Sequence, residues 1–180
     1  MRRRSNKVSV LAILGSARGE SHTLALLDAV LSGRSATRID LRDLDIHQYE
    51  YGGPKDRDNF GKVAEAMVAH TLIVFATPVY WYAMSGRMKI VFDRFTDFVT
   101  VRKDLGRQLK GRRIFLLACG SEPELTDGFE VPFRDTAAYL GMDYGGAFYA
   151  QTDKLSLLPS AVVDAALFGD KVFALTGGTR

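Results

Sequence analysis

The sequence predicts an α/β fold: a five-stranded parallel sheet in the order 2-1-3-4-5, with helices on both faces. Three observations carry that expectation. Short apolar runs recur along the chain, the first at Val8–Leu14 and the most apolar at Thr71–Ala76. Between them lie segments with apolar residues at helical spacing, several closed by glycine. The two kinds alternate from end to end, and right-handed crossovers then leave few topologies.

Each element has its own signal. VSVLAIL (Val8–Leu14) ends at Gly15 and reads as a strand buried on both faces. His22–Ser32 spaces Leu24, Leu26, Leu27, Val30 and Leu31 helically and is closed by Gly33. A more polar second strand is expected over Ala36–Leu41, followed by a Gly/Pro-bearing loop, His47–Asn59. Phe60–Ala69 is helical by pattern and leads to the third strand, Thr71–Ala76. Ser85 is expected to cap a helix over Ser85–Phe98 that stacks Met88, Val91, Phe92, Phe95 and Phe98 on one face. Ile114–Cys119 is the fourth strand, Phe133–Leu140 a helix with Pro132 near its first turn, and Ala147–Ala150 the fifth strand. The last helix is expected over Pro159–Leu175, interrupted at Gly169.

Composition narrows the class. With 180 residues, 47% hydrophobic and 25% charged, the chain is expected to form one domain, residues 1–6 being a flexible tail. Arg2-Arg3-Arg4 reads as part of that tail. A secretory leader ending near Ala17 is rejected because it would discard the first core strand. A net charge of +3 with no basic stripe interleaved with aromatics argues against nucleic acid. No apolar run is long enough for a membrane span, and a single cysteine forbids an internal disulfide, so a cytoplasmic protein is expected. The basic segment Val101–Arg113 reads as a solvated loop and helix end, with contact to a phosphate-bearing ligand as the other reading.

In sheets of this kind ligands bind beyond the carboxyl ends of the strands, where the strand order reverses. The turn after the first strand is GSARGESHT (Gly15–Thr23). Its hydroxyls, glycines and arginine before a helix start suit a phosphate dianion. Arg18 either adds a charge-assisted contact or points to solvent. The plainer reading is a capped helix start, with Ser21 or Thr23 as the cap. No lysine of a nucleotide loop stands there, and the three glycines of a dinucleotide fingerprint are missing. The turn after the third strand begins TPVYWY; Thr77 and the amides of Val79–Tyr82 can donate to a flat heteroaromatic, and Tyr80 and Trp81 can border one. Those aromatics can equally plug a sheet edge or meet a second copy. In the third turn Gly120 permits close approach, and Cys119 reads as a small core residue rather than a nucleophile.

GSARGESHT followed by TPVYWYAMSGRMKIVFDRF resembles the NADPH-dependent FMN reductase family of flavodoxin-like flavoproteins, over Val8 to about Ala150. The resemblance implies that Ser16, Arg18, Ser21, His22 and Thr23 surround an FMN phosphate. It implies that Pro78, Val79, Tyr80 and Trp81 lie along the isoalloxazine, with Gly120 and Ser121 in the last flavin loop. Ala17 departs from a frequent proline, and His22 from a small or amide residue. The iron–sulfur relatives' cysteine cluster is missing, so no metal is expected. NADPH or NADH would donate hydride to the flavin N5, and no side chain is assigned a catalytic role. A quinone, free flavin, azo dye, nitroaromatic or ferric chelate would accept the electrons. A homodimer or dimer of dimers is implied. The alternative is an electron carrier docking on protein partners without NAD(P)H turnover, a class whose strong acidity this chain does not share.

Overall fold

The computed structural model describes residues 9–52, 58–153 and 156–174. The proposed tail at residues 1–6, Val8 of the first strand and Leu175 of the last helix lie outside them. The strands are β1 (Val10–Leu14), β2 (Thr37–Asp40), β3 (Leu72–Tyr80), β4 (Ala83–Met84), β5 (Arg113–Gly120) and β6 (Asp143–Gln151). The helices are α1 (His22–Leu31), α2 (Phe60–Ala69), α3 (Gly86–Arg94), α4 (Asp97–Thr100), α5 (Lys103–Gln108), α6 (Val131–Tyr139) and α7 (Pro159–Ala174). The parallel strands lie in the order β2-β1-β3-β5-β6, and β4 folds back antiparallel on the end of β3. Counted without β4, this is the expected 2-1-3-4-5 arrangement.

Strand alternation divides the core between the two faces of the sheet. Leu11, Ile13, Ile73, Phe75, Ile114 and Leu116 pack with Val63 and Met67 of α2, Met88 and Val91 of α3, and Phe133 of α6. Val10, Ala12, Leu14, Val74, Phe115 and Leu117 pack on the other side with Leu26, Leu27 and Val30 of α1 and Ala165 and Val172 of α7. Both faces are therefore covered, which is why these strands read as continuous apolar runs.

Four expectations are corrected. Gly169 does not interrupt α7: a Cβ there would stand 2.1 Å from the Val30 carbonyl oxygen, so the glycine is where α7 crosses closely over α1. The helix expected over Ser85–Phe98 breaks after Arg94. Tight bonds from Phe95 N to Phe92 O and Thr96 N to Asp93 O close the turn, and the Arg94 guanidinium reaches forward to Asp97. Phe95 and Phe98 stay buried across the break. Val101–Arg113 is not merely solvated, because it contains α5 and buries Leu105 and Leu109. It also enters β5 at Arg113, the end of that strand far from Gly120, so it does not meet a ligand at the carboxyl edge. Finally, Thr77–Tyr80 belongs to β3 rather than to a turn, with Thr77 opposite Ala118 and Pro78 opposite Cys119.

Proline is tolerated there for a local reason. Gly15 N donates to Ala76 O at 2.8 Å, where β1 has just ended. Two residues on, Pro78 faces the same side with no strand beyond it, so its missing N–H costs the sheet nothing.

Candidate active site

At the carboxyl ends of β1, β3 and β5 the chain forms a cleft of about 260 Å³. One end is made by the turn before α1, which brings in Ser16, Arg18, Ser21, His22 and Thr23. The other end is made by Pro78, Val79 and Tyr80 of β3 together with Cys119, Gly120 and Ser121, and by Thr152 and Asp153 after β6. The site thus gathers residues from turns far apart in sequence at the point where the strand order reverses.

The basic end is preorganised. Ser16 is buried, and its hydroxyl accepts from Arg18 N at 3.1 Å, which fixes the turn. Ser21 is the N-cap of α1: its backbone is extended and its hydroxyl accepts from Leu24 N at 3.1 Å. This serine caps the helix and also lines the cleft. Thr23 is not a cap. Its hydroxyl lies 3.3 Å from the Cys119 sulfur, joining the first turn of α1 to the end of β5. Burial pushes the Cys119 thiol upward, and the Thr23 contact only partly opposes this. Cys119 is therefore a thiol at the cleft floor and not an activated nucleophile.

The turns are braced against each other. Ser85 donates to the Gly15 carbonyl at 2.5 Å, accepts from Met88 N at 3.2 Å as the cap of α3, and gives its own amide to Thr77 Oγ1 at 3.0 Å. Thr77 is fully buried in this bracing, so its hydroxyl is not turned to a ring in the cleft. At Gly120 a Cβ would stand 3.1 Å from the Tyr149 hydroxyl and 3.2 Å from Val79 Cβ. A side chain there would press on Tyr149 and Val79, and glycine avoids that contact. Its carbonyl accepts from Thr152 N at 2.8 Å, and Ser121 O accepts from Gln151 Nε2 at 3.1 Å, so β6 holds the third turn.

Trp81 does not line the cleft. It and Tyr82 form the tip of the two-residue hairpin between β3 and β4, with φ of 47° and 63°. Positive φ at both central positions matches the twist of a tight hairpin, but bulky residues hold it at a cost of about 1–2 kcal/mol each. Trp81 is 94% exposed. The hairpin instead walls a second cavity of about 160 Å³, which also contains Glu122, Glu124, Thr126 and Tyr149. Val79, Gly120 and Ser121 line both cavities, so the two adjoin along these residues.

Sequence reasoning missed Thr152, Asp153 and Tyr149 because it considered only the turns after the first, third and fourth strands. The rule that ligands lie beyond strand carboxyl ends also covers the end of β6, which was the available signal. Among the described residues no group of three or more His, Cys, Asp or Glu side chains is placed to hold a metal. No helix there is long and apolar enough to cross a membrane.

A doubly wound sheet with a hydroxyl-rich cradle at its first turn and an aromatic-bordered cleft at the switch point defines a mononucleotide-binding α/β protein. The chain belongs to the NADPH-dependent FMN reductase family, whose model matches residues 8–153. It is 24% identical over 149 residues to YwqN of Bacillus subtilis (strain 168), named as an NAD(P)H-dependent FMN-containing oxidoreductase, covering 77% of this chain and 82% of that one. Its fold is that of the Trp repressor binding protein from Bacillus subtilis (TM-score 0.72, 21% identity, 88% of this chain and 96% of that one). It is also that of general stress protein 14 from Treponema denticola, solved in complex with FMN (TM-score 0.63, 20% identity, 94% of this chain and 98% of that one).

Proposed function

We propose that this chain is an NAD(P)H-dependent oxidoreductase that holds FMN in the cleft and reduces a small acceptor. The observation carrying this reading is the continuity of the hydroxyl-rich cradle with the wall at Gly120, in a chain of this family. Ser16, Arg18, Ser21, His22 and Thr23 would hold the phosphate through hydroxyls, the arginine and the free amides of the first turn of α1. Pro78, Val79, Tyr80, Gly120 and Ser121 would hold the ring, and Trp81 would cover its outer edge from the hairpin. When bound, the flavin supplies the redox chemistry, taking a hydride from nicotinamide and passing two electrons to the acceptor. The residues themselves orient and desolvate; none is required to move a proton. The exposed Trp81 and Tyr82 beside the cleft favour a homodimer, or a pair of dimers, as the working form. Cytoplasmic work on a soluble acceptor accords with the same reading.

The test is an absorbance spectrum after incubation with FMN and desalting, then NADPH without oxygen. A retained flavin band that bleaches is expected. A colourless protein overturns the cofactor assignment, and a retained band that never bleaches makes the chain an electron carrier.

A further inference from the structure

The cleft and the cavity beside it differ in charge. Arg18 and His22 stand at the α1 end of the cleft and Asp153 at its β6 end, whereas the adjoining cavity is lined by Glu122 and Glu124 and, among the described residues, by no Lys, Arg or His. Trp81 and Tyr82 from the hairpin and Tyr149 give that cavity three aromatic rings, beside Val79, Gly120, Ser121 and Thr126; the Tyr149 hydroxyl donates to the Glu122 carbonyl at 2.7 Å. That bond holds the loop carrying both glutamates against β6. The volume of about 160 Å³ suits one benzene-scale ring, since an apolar cavity of about 150 Å³ accepts benzene.

We propose that this aromatic cavity is the acceptor subsite and that it selects by charge, taking flat neutral or cationic rings and discriminating against sulfonated or carboxylated ones. Aromatic faces attract a cationic ring, and the two carboxylates repel an anionic one. Glu122 and Glu124 are then specificity-determining residues, while Trp81, Tyr82 and Tyr149 supply the stacking surface. The proposal rests on the reading of the neighbouring cleft as the cofactor site only in calling the bound ring an acceptor. Turnover of a quinone consumes NAD(P)H and one solvent proton and yields NAD(P)⁺ and the hydroquinone, so both electrons and both protons are accounted for.

Trp81 is the single tryptophan of the chain and lines the cavity, so its fluorescence reports occupancy without any cofactor. The experiment titrates 1,4-benzoquinone, its 2-sulfonate and a trimethylammonium-substituted analogue against that signal, in the wild type and in Glu122→Gln/Glu124→Gln. It then compares kcat/KM for the same three compounds with NADPH in the FMN-loaded protein. The sulfonate is expected to bind about tenfold more weakly than the neutral quinone, with the gap narrowing at high salt and collapsing in the double variant. The cationic analogue should shift in the opposite sense. Equal dissociation constants for all three, or charge ratios unchanged by the double variant, overturn the proposal. Charge-selective quenching without any NADPH turnover supports the subsite as a binding site and refutes the oxidoreductase reading, so the two failures are told apart.

Discussion

Replacing Arg94 with methionine should cost this protein about 3–5 kcal/mol near pH 7, and the cost should shrink in mild acid. The Arg94 side chain is 7% exposed, and the Asp58 and Asp97 side chains beside it are each 5% exposed. Its Nε and Nη2 both donate to Asp97 Oδ2, at 3.0 and 2.9 Å, and Nη1 donates to the His47 carbonyl at 3.2 Å and to the Asp58 carboxylate. The guanidinium also lies over the Phe60 ring, 4.7 Å from its centroid. Methionine keeps most of the volume but strands two buried carboxylates, and that stranded charge dominates the loss.

The pH dependence follows from the direction of one shift. Burial pushes the Asp58 carboxyl up, but the Phe60 and His47 amides and the Arg94 guanidinium outweigh it and hold it below its ordinary value. A carboxyl lowered in the folded state stabilises above its unfolded pKa of about 3.9, and that contribution disappears as pH falls through the folded value. Without Arg94 the two amide bonds remain, but the carboxyl loses its counter-charge and protonates at a higher pH than in the wild type, which relieves part of the stranded charge. The deficit of the variant should therefore shrink as pH falls from 7.5 toward the carboxylate range, by urea unfolding of flavin-free protein. Adding Asp58→Asn and Asp97→Asn should recover more than half of it. A loss below about 1 kcal/mol across that range would mean that the cluster behaves as a surface pair. A loss that ignores pH would mean that packing alone was removed.

Three further outcomes are expected. Ser21→Asp keeps a good N-cap but sets a carboxylate where a phosphate is proposed; the urea midpoint should hold within about 0.5 kcal/mol while FMN affinity falls at least about tenfold. Joint loss of both, or of neither, would separate the serine's two roles differently. Trp81→Asn with Tyr82→Gly installs the turn sequence that positive φ favours and removes little packing, so stability should rise by about 1–2 kcal/mol in the same assay. A fall would show that the aromatics are held by contacts stronger than the strain. Gly169→Ala should cost about 1–3 kcal/mol although alanine is the better helix former, because its Cβ would meet the Val30 carbonyl at 2.1 Å. A stabilised variant would mean that α7 and α1 separate freely.

The sheet was legible in the sequence because its strands are buried on both faces and its helices are amphipathic, so each element carries a pattern of its own. The turn before α1 stood out for a similar reason: its hydroxyls and glycines exceed what one helix cap needs. What escaped the sequence depends on contacts between segments. Gly169 looks like a helix breaker until α1 is seen passing under it. The end of the α3 segment looks like uninterrupted helix until Phe95 N and Thr96 N are seen closing on Phe92 O and Asp93 O, with the Arg94 guanidinium held by Asp58 from a different loop. Trp81-Tyr82 is a poor sequence for a two-residue hairpin, and no propensity rule places a tight turn there. Thr152 and Asp153 follow the fifth parallel strand directly, and only the sheet order brings them beside Gly120.

The site's rigidity is unevenly distributed, and that distribution bears on what can vary in it. Ser85 ties the first turn to the second, the Thr23–Cys119 contact ties α1 to β5, and Thr152 ties the third turn to β6. All three braces lie at or below the strand ends, so the backbone that would face a cofactor is fixed from beneath. The hairpin tip has no comparable brace among the described residues: Trp81 is nearly free of contacts and sits in a strained backbone region. Strain at such a position persists only where something over-determines it or where function uses it. A fixed cradle beside a lightly held aromatic tip separates the two tasks physically. Changes at Trp81, Tyr82, Glu122 or Glu124 should then retune the acceptor without disturbing the phosphate end of the cleft.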